Sequence, residues 1–285
     1  MTTSAAKDIA GKSAKLIHIL EKMGGVAVAF SGGVDSALLL RVAKDALADR
    51  VVAVTAVSET TPGHEMEDAK RLAAQFCVKH LVIESDELKN PEYVKNPPEK
   101  CYLCKKSRFS AICSIAKALG LAWVADGSNA DDLGDFRPGM KAVEELGVRS
   151  PLLEAGFSKA DIRVLSKELG LWTWDKPPYA CLATRIPYGN PITAEKLRQI
   201  DSGEDFIRNM AISPQVRVRH YGDTARIEVA PEDISKLLEM KTRARVIAFF
   251  KDLGFKFVTL DLEGYRMGSL NGEVSQIGVK EPGRS

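Results

Sequence analysis

Residues 26–40, Val-Ala-Val-Ala-Phe-Ser-Gly-Gly-Val-Asp-Ser-Ala-Leu-Leu-Leu, constrain the fold more than any other stretch of the chain. Val26 to Phe30 is a short, continuous apolar run, the pattern of a parallel strand covered on both faces. Gly32 and Gly33 follow at once. Without Cβ atoms they let the backbone turn sharply and bring its N–H groups close to an anion. Ser36 and the first amides of the apolar helix add donors at the positive end of a helix dipole. Strand, glycine turn and helix together predict a phosphate-binding turn. The spacing GxxxxGK(S/T) is absent and no lysine falls between Gly33 and Lys44, so this is not a lysine-bearing P-loop.

The rhythm continues downstream. A helix over residues 36–47 leads to a second buried strand at 51–57, a helix over 65–76 to a third strand at 79–84, and a helix over 105–119 to a fourth at 123–126. This is the βαβ alternation of a doubly wound parallel α/β sheet. Open sheets of this kind bind ligands at the carboxyl ends of their strands, a rim that holds Ser31, Thr55 and Gly127. Residues 8–23 form an amphipathic helix. Residues 85–100, with Pro91, Pro97 and Pro98, read as a loop, Arg149 to Leu153 as strand-like, and Ile162 to Leu169 as a helix opened by Ser158 and Asp161. The proline-rich segment 175–189 is too irregular for a regular element and marks a domain boundary. Beyond it, a helix over 193–210, a hairpin around Tyr221 to Thr224, two helical stretches over 231–253 and a strand at 255–261 predict a smaller α+β domain, with a flexible tail from Asn271. The expected division is 1–189 and 190–285.

At 285 residues the chain suits one large or two ordinary domains. No apolar run approaches the ~20 residues of a membrane span, and residues 1–8 lack the apolar core of a signal peptide, so the expected location is cytoplasmic. A net charge of +2 gives no polyanion-binding footprint, which argues against a nucleic-acid partner. Five cysteines in a reducing compartment point to metal, cluster or catalytic roles rather than a disulfide framework. Cys77 and Cys113 fall in apolar helical stretches and read as small core residues. His18, His64, His80 and His220 show no metal-ligand spacing.

Ser31 to Ser36, SGGVDS, resembles the PP-loop signature of the N-type ATP pyrophosphatases, which implies cleavage of ATP between its α and β phosphates and an adenylate product. Two further blocks narrow the class. Asp126-Gly-Ser-Asn-Ala-Asp-Asp-Leu-Gly-Asp-Phe-Arg137-Pro-Gly139 and Cys181-Leu-Ala-Thr-Arg185-Ile-Pro-Tyr-Gly189 resemble the LarE family, ATP-dependent sulfur transferases of nickel-pincer cofactor synthesis. The resemblance extends over nearly the whole chain, through Arg217-Val-Arg219. It implies adenylation of a pyridinium carboxylate on a mononucleotide, release of pyrophosphate and replacement of a carboxylate oxygen by sulfur, in a homo-oligomer such as a hexamer. Adenylation makes chemical sense because a carboxylate lacks a good leaving group until it is joined to AMP.

On this reading Ser31, Gly32, Gly33 and Ser36 hold pyrophosphate, and Asp35 organises the loop or binds Mg²⁺. Backbone along Thr55, Ala56 and Gly127 receives adenine and ribose. Asp131 either ligates Mg²⁺ or caps a turn, and Arg137 either neutralises phosphate or pairs with a nearby aspartate. Cys181 is the expected nucleophile, with Arg185 able to lower its pKa or bind phosphate. Arg217 and Arg219 share a strand face and, with Arg185 and Glu204, are candidates for the substrate's phosphate and carboxylates; a solvated charged face is the alternative for the strand pair.

In single-cysteine members of the family the nucleophile surrenders its own sulfur and becomes dehydroalanine. Cys101-Tyr-Leu-Cys104 departs from that pattern. With Cys181 it makes three thiols, the number for a [4Fe-4S] cluster with one open iron, while zinc or a dithiol redox pair are the other readings of CxxC. Rival functions are a tRNA thiolase, an ammonia-dependent adenylating ligase and a nucleotide-sensing module.

Overall fold

Apolar runs of three to seven residues set the strands of the parallel sheet, and the amphipathic segments between them set the crossovers. A computed structural model describes residues 3–134, 138–177 and 181–266 of the chain. In chain order the elements are α1 (Thr3–Met23), β1 (Val26–Ala29), α2 (Val34–Leu47), β2 (Val51–Val57), α3 (Gly63–Gln75), β3 (Lys79–Glu84), the short α4 (Pro91–Val94), α5 (Lys100–Ala118), β4 (Trp123–Ala125), α6 (Pro138–Glu145), α7 (Pro151–Ala155), α8 (Lys159–Glu168), α9 (Ala194–Asn209), β5 (Val216–Tyr221), β6 (Thr224–Val229), α10 (Ile234–Leu238), α11 (Met240–Asp252) and β7 (Phe257–Leu260).

They form two compact units, Met1–Glu87 with Cys101–Tyr179, and Leu88–Lys100 with Ala180–Ser285. In the first, four parallel strands run in the order β3-β2-β1-β4. Alternate residues of these strands point to opposite faces. Val26, Val28, Val51 and Ala53 enter one core with Leu38, Leu39, Leu72 and Ile162, whereas Ala27, Val52, Val54 and Val124 enter another with Phe109, Ile112 and Ala116. Two cores on two faces make the sheet doubly wound, as expected.

In the second unit β5 and β6 form the expected antiparallel hairpin, Tyr221 paired with Thr224, and β7 adds parallel to β6. No helix among the described residues is long and apolar enough to cross a membrane.

Three sequence expectations are corrected. Arg149 to Leu153 is not a strand: only Arg149 bridges to Ala125, and Pro151 then starts α7, where its missing N–H costs nothing. Residues 85–100 are not merely loop, because Asn90 Oδ1 accepts from Glu92 N and Pro91 opens α4. Cys77 is exposed, in the turn after α3 at a φ of 52°; Cys113 is half-buried against the second core, which pushes its thiol pKa up. The expected flexible tail from Asn271 lies outside the described residues.

Candidate active site

The glycine turn sits where the sequence puts it, after β1 at the carboxyl edge of the sheet. Gly32 has a φ of 73°, a left-handed conformation, and a Cβ there would stand 3.0 Å from the Ala69 backbone nitrogen of α3. Ser31 and Ser36 knit the turn: their hydroxyls lie 3.1 Å apart, Ser36 Oγ donates to Gly33 O at 3.2 Å, and Ser31 N donates to Ser36 Oγ at 3.3 Å. Gly33 is the N-cap of α2 and no side chain caps that helix. Its first amides therefore point outward as anion donors. Gly127, just past β4, closes against this helix start, since a Cβ there would meet Ser36 N at 3.0 Å and Asp35 Cβ at 3.2 Å.

Beside the turn, Thr55 is buried and its hydroxyl is committed, donating to Phe30 O at 2.6 Å and contacting His80 Nε2 at 2.7 Å. A hydroxyl has one proton, so His80 is the donor in the second bond and carries its proton on Nε2. Burial pushes the His80 pKa down, which keeps the ring neutral. The Thr55 side chain thus braces β2 to β1, and Ala56 is half-buried at the second core. Asp35 is ion-paired with Lys159 and lies 3.5 Å from Asn129 Nδ2. A Mg²⁺ in a nucleotide site needs only one or two carboxylates with phosphate oxygens, and the Asp35 carboxylate fits that donor set. Asp131 accepts from Lys159 N at 2.9 Å, at the start of α8, and Asp132 closes its own turn on Asn129 N. Arg137 lies outside the described residues.

Cys101 and Cys104 are the second and fifth residues of α5, so their i, i+3 spacing puts both thiols on one helix face. Cys101 is exposed and Cys104 half-buried, with Cys104 Sγ donating to Glu87 Oε1 at 3.4 Å. Burial pushes the Glu87 carboxyl up, but Arg108 beside it and the Ser85 hydroxyl outweigh this and hold it below the usual range. Arg108 also reaches Ser58 and Thr60 at 2.9 Å. The pair supplies two thiols, which once deprotonated are ligands of the kind a soft metal or cluster takes. Among the described residues no group of three or more His, Cys, Asp or Glu side chains is arranged to hold a metal ion.

In the second unit Cys181 opens a 3-10 turn, Leu182–Arg185. Arg185 is 0% exposed. Its guanidinium is a fork on Glu204, Nε to Oε1 at 2.9 Å and Nη2 to Oε2 at 3.1 Å, and its remaining nitrogen donates to Cys181 O at 3.1 Å and Thr184 Oγ1 at 3.0 Å. Glu204 also accepts from Val218 N at 3.0 Å, which ties α9 to β5. Arg219 repeats the fork on Glu228, at 3.0 and 2.9 Å, and donates to Thr184 O at 2.9 Å. Arg217 lies over the Tyr265 ring, and burial together with the charge of Arg185 pushes its pKa down. The five sequence candidates Cys181, Arg185, Glu204, Arg217 and Arg219 are therefore gathered around one turn. Thr184 and Glu228, which sequence reasoning passed over, join them there. Arg185 holds the turn through one bond to the Cys181 backbone carbonyl and one to the Thr184 hydroxyl, while Glu204 holds its other edge.

A parallel sheet with an uncapped SGGVDS turn at its carboxyl edge defines an ATP pyrophosphatase of the PP-loop class. Residues 15–99 match the NAD synthase family model. The chain is 39% identical over 264 residues, 92% of its length and 95% of the relative's, to the pyridinium-3,5-bisthiocarboxylic acid mononucleotide synthase of Lactiplantibacillus plantarum. It is 44% identical to an uncharacterized Synechocystis protein, over 86% of this chain and 91% of that one, and 34% identical to an uncharacterized protein of Methanocaldococcus jannaschii, over 85% and 90%. The chain belongs to the LarE family of ATP-dependent sulfur transferases.

Proposed function

We propose that this protein uses ATP to adenylate a carboxylate of a pyridinium mononucleotide, releases pyrophosphate, and exchanges a carboxylate oxygen for sulfur in nickel-pincer cofactor synthesis. The observation that carries the reading is the Cys181 thiol on a turn fixed by buried arginines, in a chain that also has an uncapped glycine turn suited to pyrophosphate. A substrate carboxylate oxygen attacks the α-phosphorus, and the bond to the β-phosphate oxygen breaks. Pyrophosphate leaves onto the amides of Gly32, Gly33 and α2, beside the hydroxyls of Ser31 and Ser36. Mg²⁺, held by Asp35, would offset charge on the phosphates. Backbone at Thr55, Ala56 and Gly127 receives the nucleoside. Arg217 and Arg219 face the substrate's phosphate and second carboxylate, with Arg185 and Glu204 fixing the turn behind them.

Sulfur then adds to the activated carbonyl carbon and AMP departs with the former carboxylate oxygen. If Cys181 is the donor, its thiolate forms a thioester; loss of the Cα proton breaks the Cβ–S bond, freeing the thiocarboxylate and leaving dehydroalanine. If sulfide is the donor, Cys101, Cys104 and Cys181 would be the thiols to hold a [4Fe-4S] cluster, a group that would bring sulfide when bound. The C-terminal unit exposes Leu238, Met240, Phe257 and Leu262, apolar surface that supports its role in homo-oligomer contacts.

The test is anaerobic reconstitution with iron and sulfide, followed by ATP, Mg²⁺ and the pyridinium dicarboxylate mononucleotide. Pyrophosphate and thiocarboxylate are expected, with several products per chain on the sulfide route and no more than one in Cys101→Ala. A chain lighter by one H₂S at residue 181 assigns the self-donating route. Absence of pyrophosphate overturns the proposal.

A further inference from the structure

The glycine turn has no lysine of its own, yet two lysines from a distant part of the sequence stand at it. Lys159, the first residue of α8, ion-pairs with Asp35. Lys176 donates from Nζ to Gly32 O at 3.3 Å and ion-pairs with Asp68 of α3 at 2.7 Å, its side chain only 8% exposed. Helix α8 fixes the backbone of both. Ser158 and Asp161 form a capping box at its start, and Asp131 accepts from Lys159 N. Further along, Arg163 donates to Trp174 O at 2.9 Å and Lys176 O at 3.0 Å, holding the segment from which Lys176 reaches back. A lysine on a pinned backbone remains a point charge with three rotatable donors, suited to a ligand whose oxygens shift during reaction.

The competition for these ammoniums is one-sided. Asp35 and Asp68 each offer a single negative charge, whereas the β,γ-phosphates offer several, and Mg²⁺ competes for the Asp35 carboxylate itself. Resting on the adenylation reading above, we propose that Lys159 and Lys176 are the cations that neutralise the β- and γ-phosphates and retain pyrophosphate, doing from α8 and its following segment what a P-loop lysine does from within its loop. Asp35 and Asp68 hold them at the edge of the turn and compete with the ligand.

The measurement is calorimetric titration of the full-length protein with inorganic pyrophosphate and Mg²⁺, and separately with AMP, which has no β,γ-phosphates. Lys159→Met and Lys176→Met should each weaken pyrophosphate about 10- to 100-fold, the range for a hydrogen bond to a charged group. AMP affinity should stay within about twofold, and Lys176→Arg should recover most of the loss. Asp68→Asn should strengthen pyrophosphate binding, a change of sign that a purely structural role would not produce. Unchanged pyrophosphate affinity in both methionine variants overturns the assignment and leaves the adenylation reading standing. Parallel loss of AMP and pyrophosphate in those variants also overturns it. A wild-type protein that neither binds pyrophosphate nor releases it from ATP removes both.

Discussion

Cys181→Ala is expected to abolish thiocarboxylate formation, by roughly a thousandfold or more, as removal of a nucleophile does, while ATP-dependent pyrophosphate release persists. The separation follows from where the groups sit. The glycine turn and its serines belong to the first unit and are knit by their own hydrogen bonds, whereas Cys181 belongs to the second. Cys181 contributes its carbonyl to Arg185 and Thr184, bonds that a change at the thiol leaves in place. The alanine variant should therefore fold, activate substrate and stall at the adenylate. Product analysis by mass spectrometry beside a pyrophosphate assay reads both halves. Wild-type thiocarboxylate yield from Cys181→Ala would remove this residue from the reaction on either sulfur route.

Glu204→Gln is expected to cost the folded state about 3–5 kcal/mol, the range for breaking a buried ion pair from one side. Arg185 is fully buried and would keep its charge without a carboxylate beneath it, and Val218 N would lose its charged acceptor. The pH dependence has a definite sign. Burial pushes the Glu204 carboxyl up, but the Arg185 charge and its two hydrogen bonds outweigh that and hold its pKa below the ordinary 4.5. A group with a depressed folded pKa stabilises above its unfolded value and loses that contribution as pH falls through the folded one. Wild-type stability should thus decline below pH 4.5 more steeply than that of Glu204→Gln. Urea unfolding across that range measures it. Equal slopes, or a loss under about 1 kcal/mol, the level of an exposed pair, would show that the fork is not what holds the Cys181 turn.

The parts of this molecule that were legible in the sequence are those whose partners are close in the chain. SGGVDS could be read as a phosphate turn because strand, glycines and helix start are covalently adjacent, and the positive φ of Gly32 is a property of that residue type. The capping residues of α8 and the hairpin at Tyr221 to Thr224 are local in the same sense. Arg149 to Leu153 misled because its apolar residues fit a strand until Pro151 is recognised as a helix opener. Cys77 misled because apolar neighbours do not reveal that a helix has already ended.

The charged residues were legible as a set but not as pairs. Arg185, Glu204, Arg217 and Arg219 could be named as candidates from the sequence. That Arg185 spends its fork on Glu204 and Arg219 on Glu228 depends on how α9 lies on β5 and on the register of β5 with β6. Lys159 and Lys176 were invisible for the same reason: only the packing of α8 against the first core brings them to a turn near the start of the chain. Charge in a sequence carries no address, and the fold supplies it.

The central claim is that a carboxylate is activated by AMP before sulfur replaces its oxygen, and the most direct measurement follows that oxygen. Substrate labelled with heavy oxygen in its carboxylates, turned over with ATP and Mg²⁺ in unlabelled water, should yield AMP carrying one labelled oxygen in its phosphate, unlabelled pyrophosphate, and a thiocarboxylate that retains the other. AMP free of label alongside thiocarboxylate product would mean that the carboxylate never bonded to the α-phosphorus, and would contradict the account.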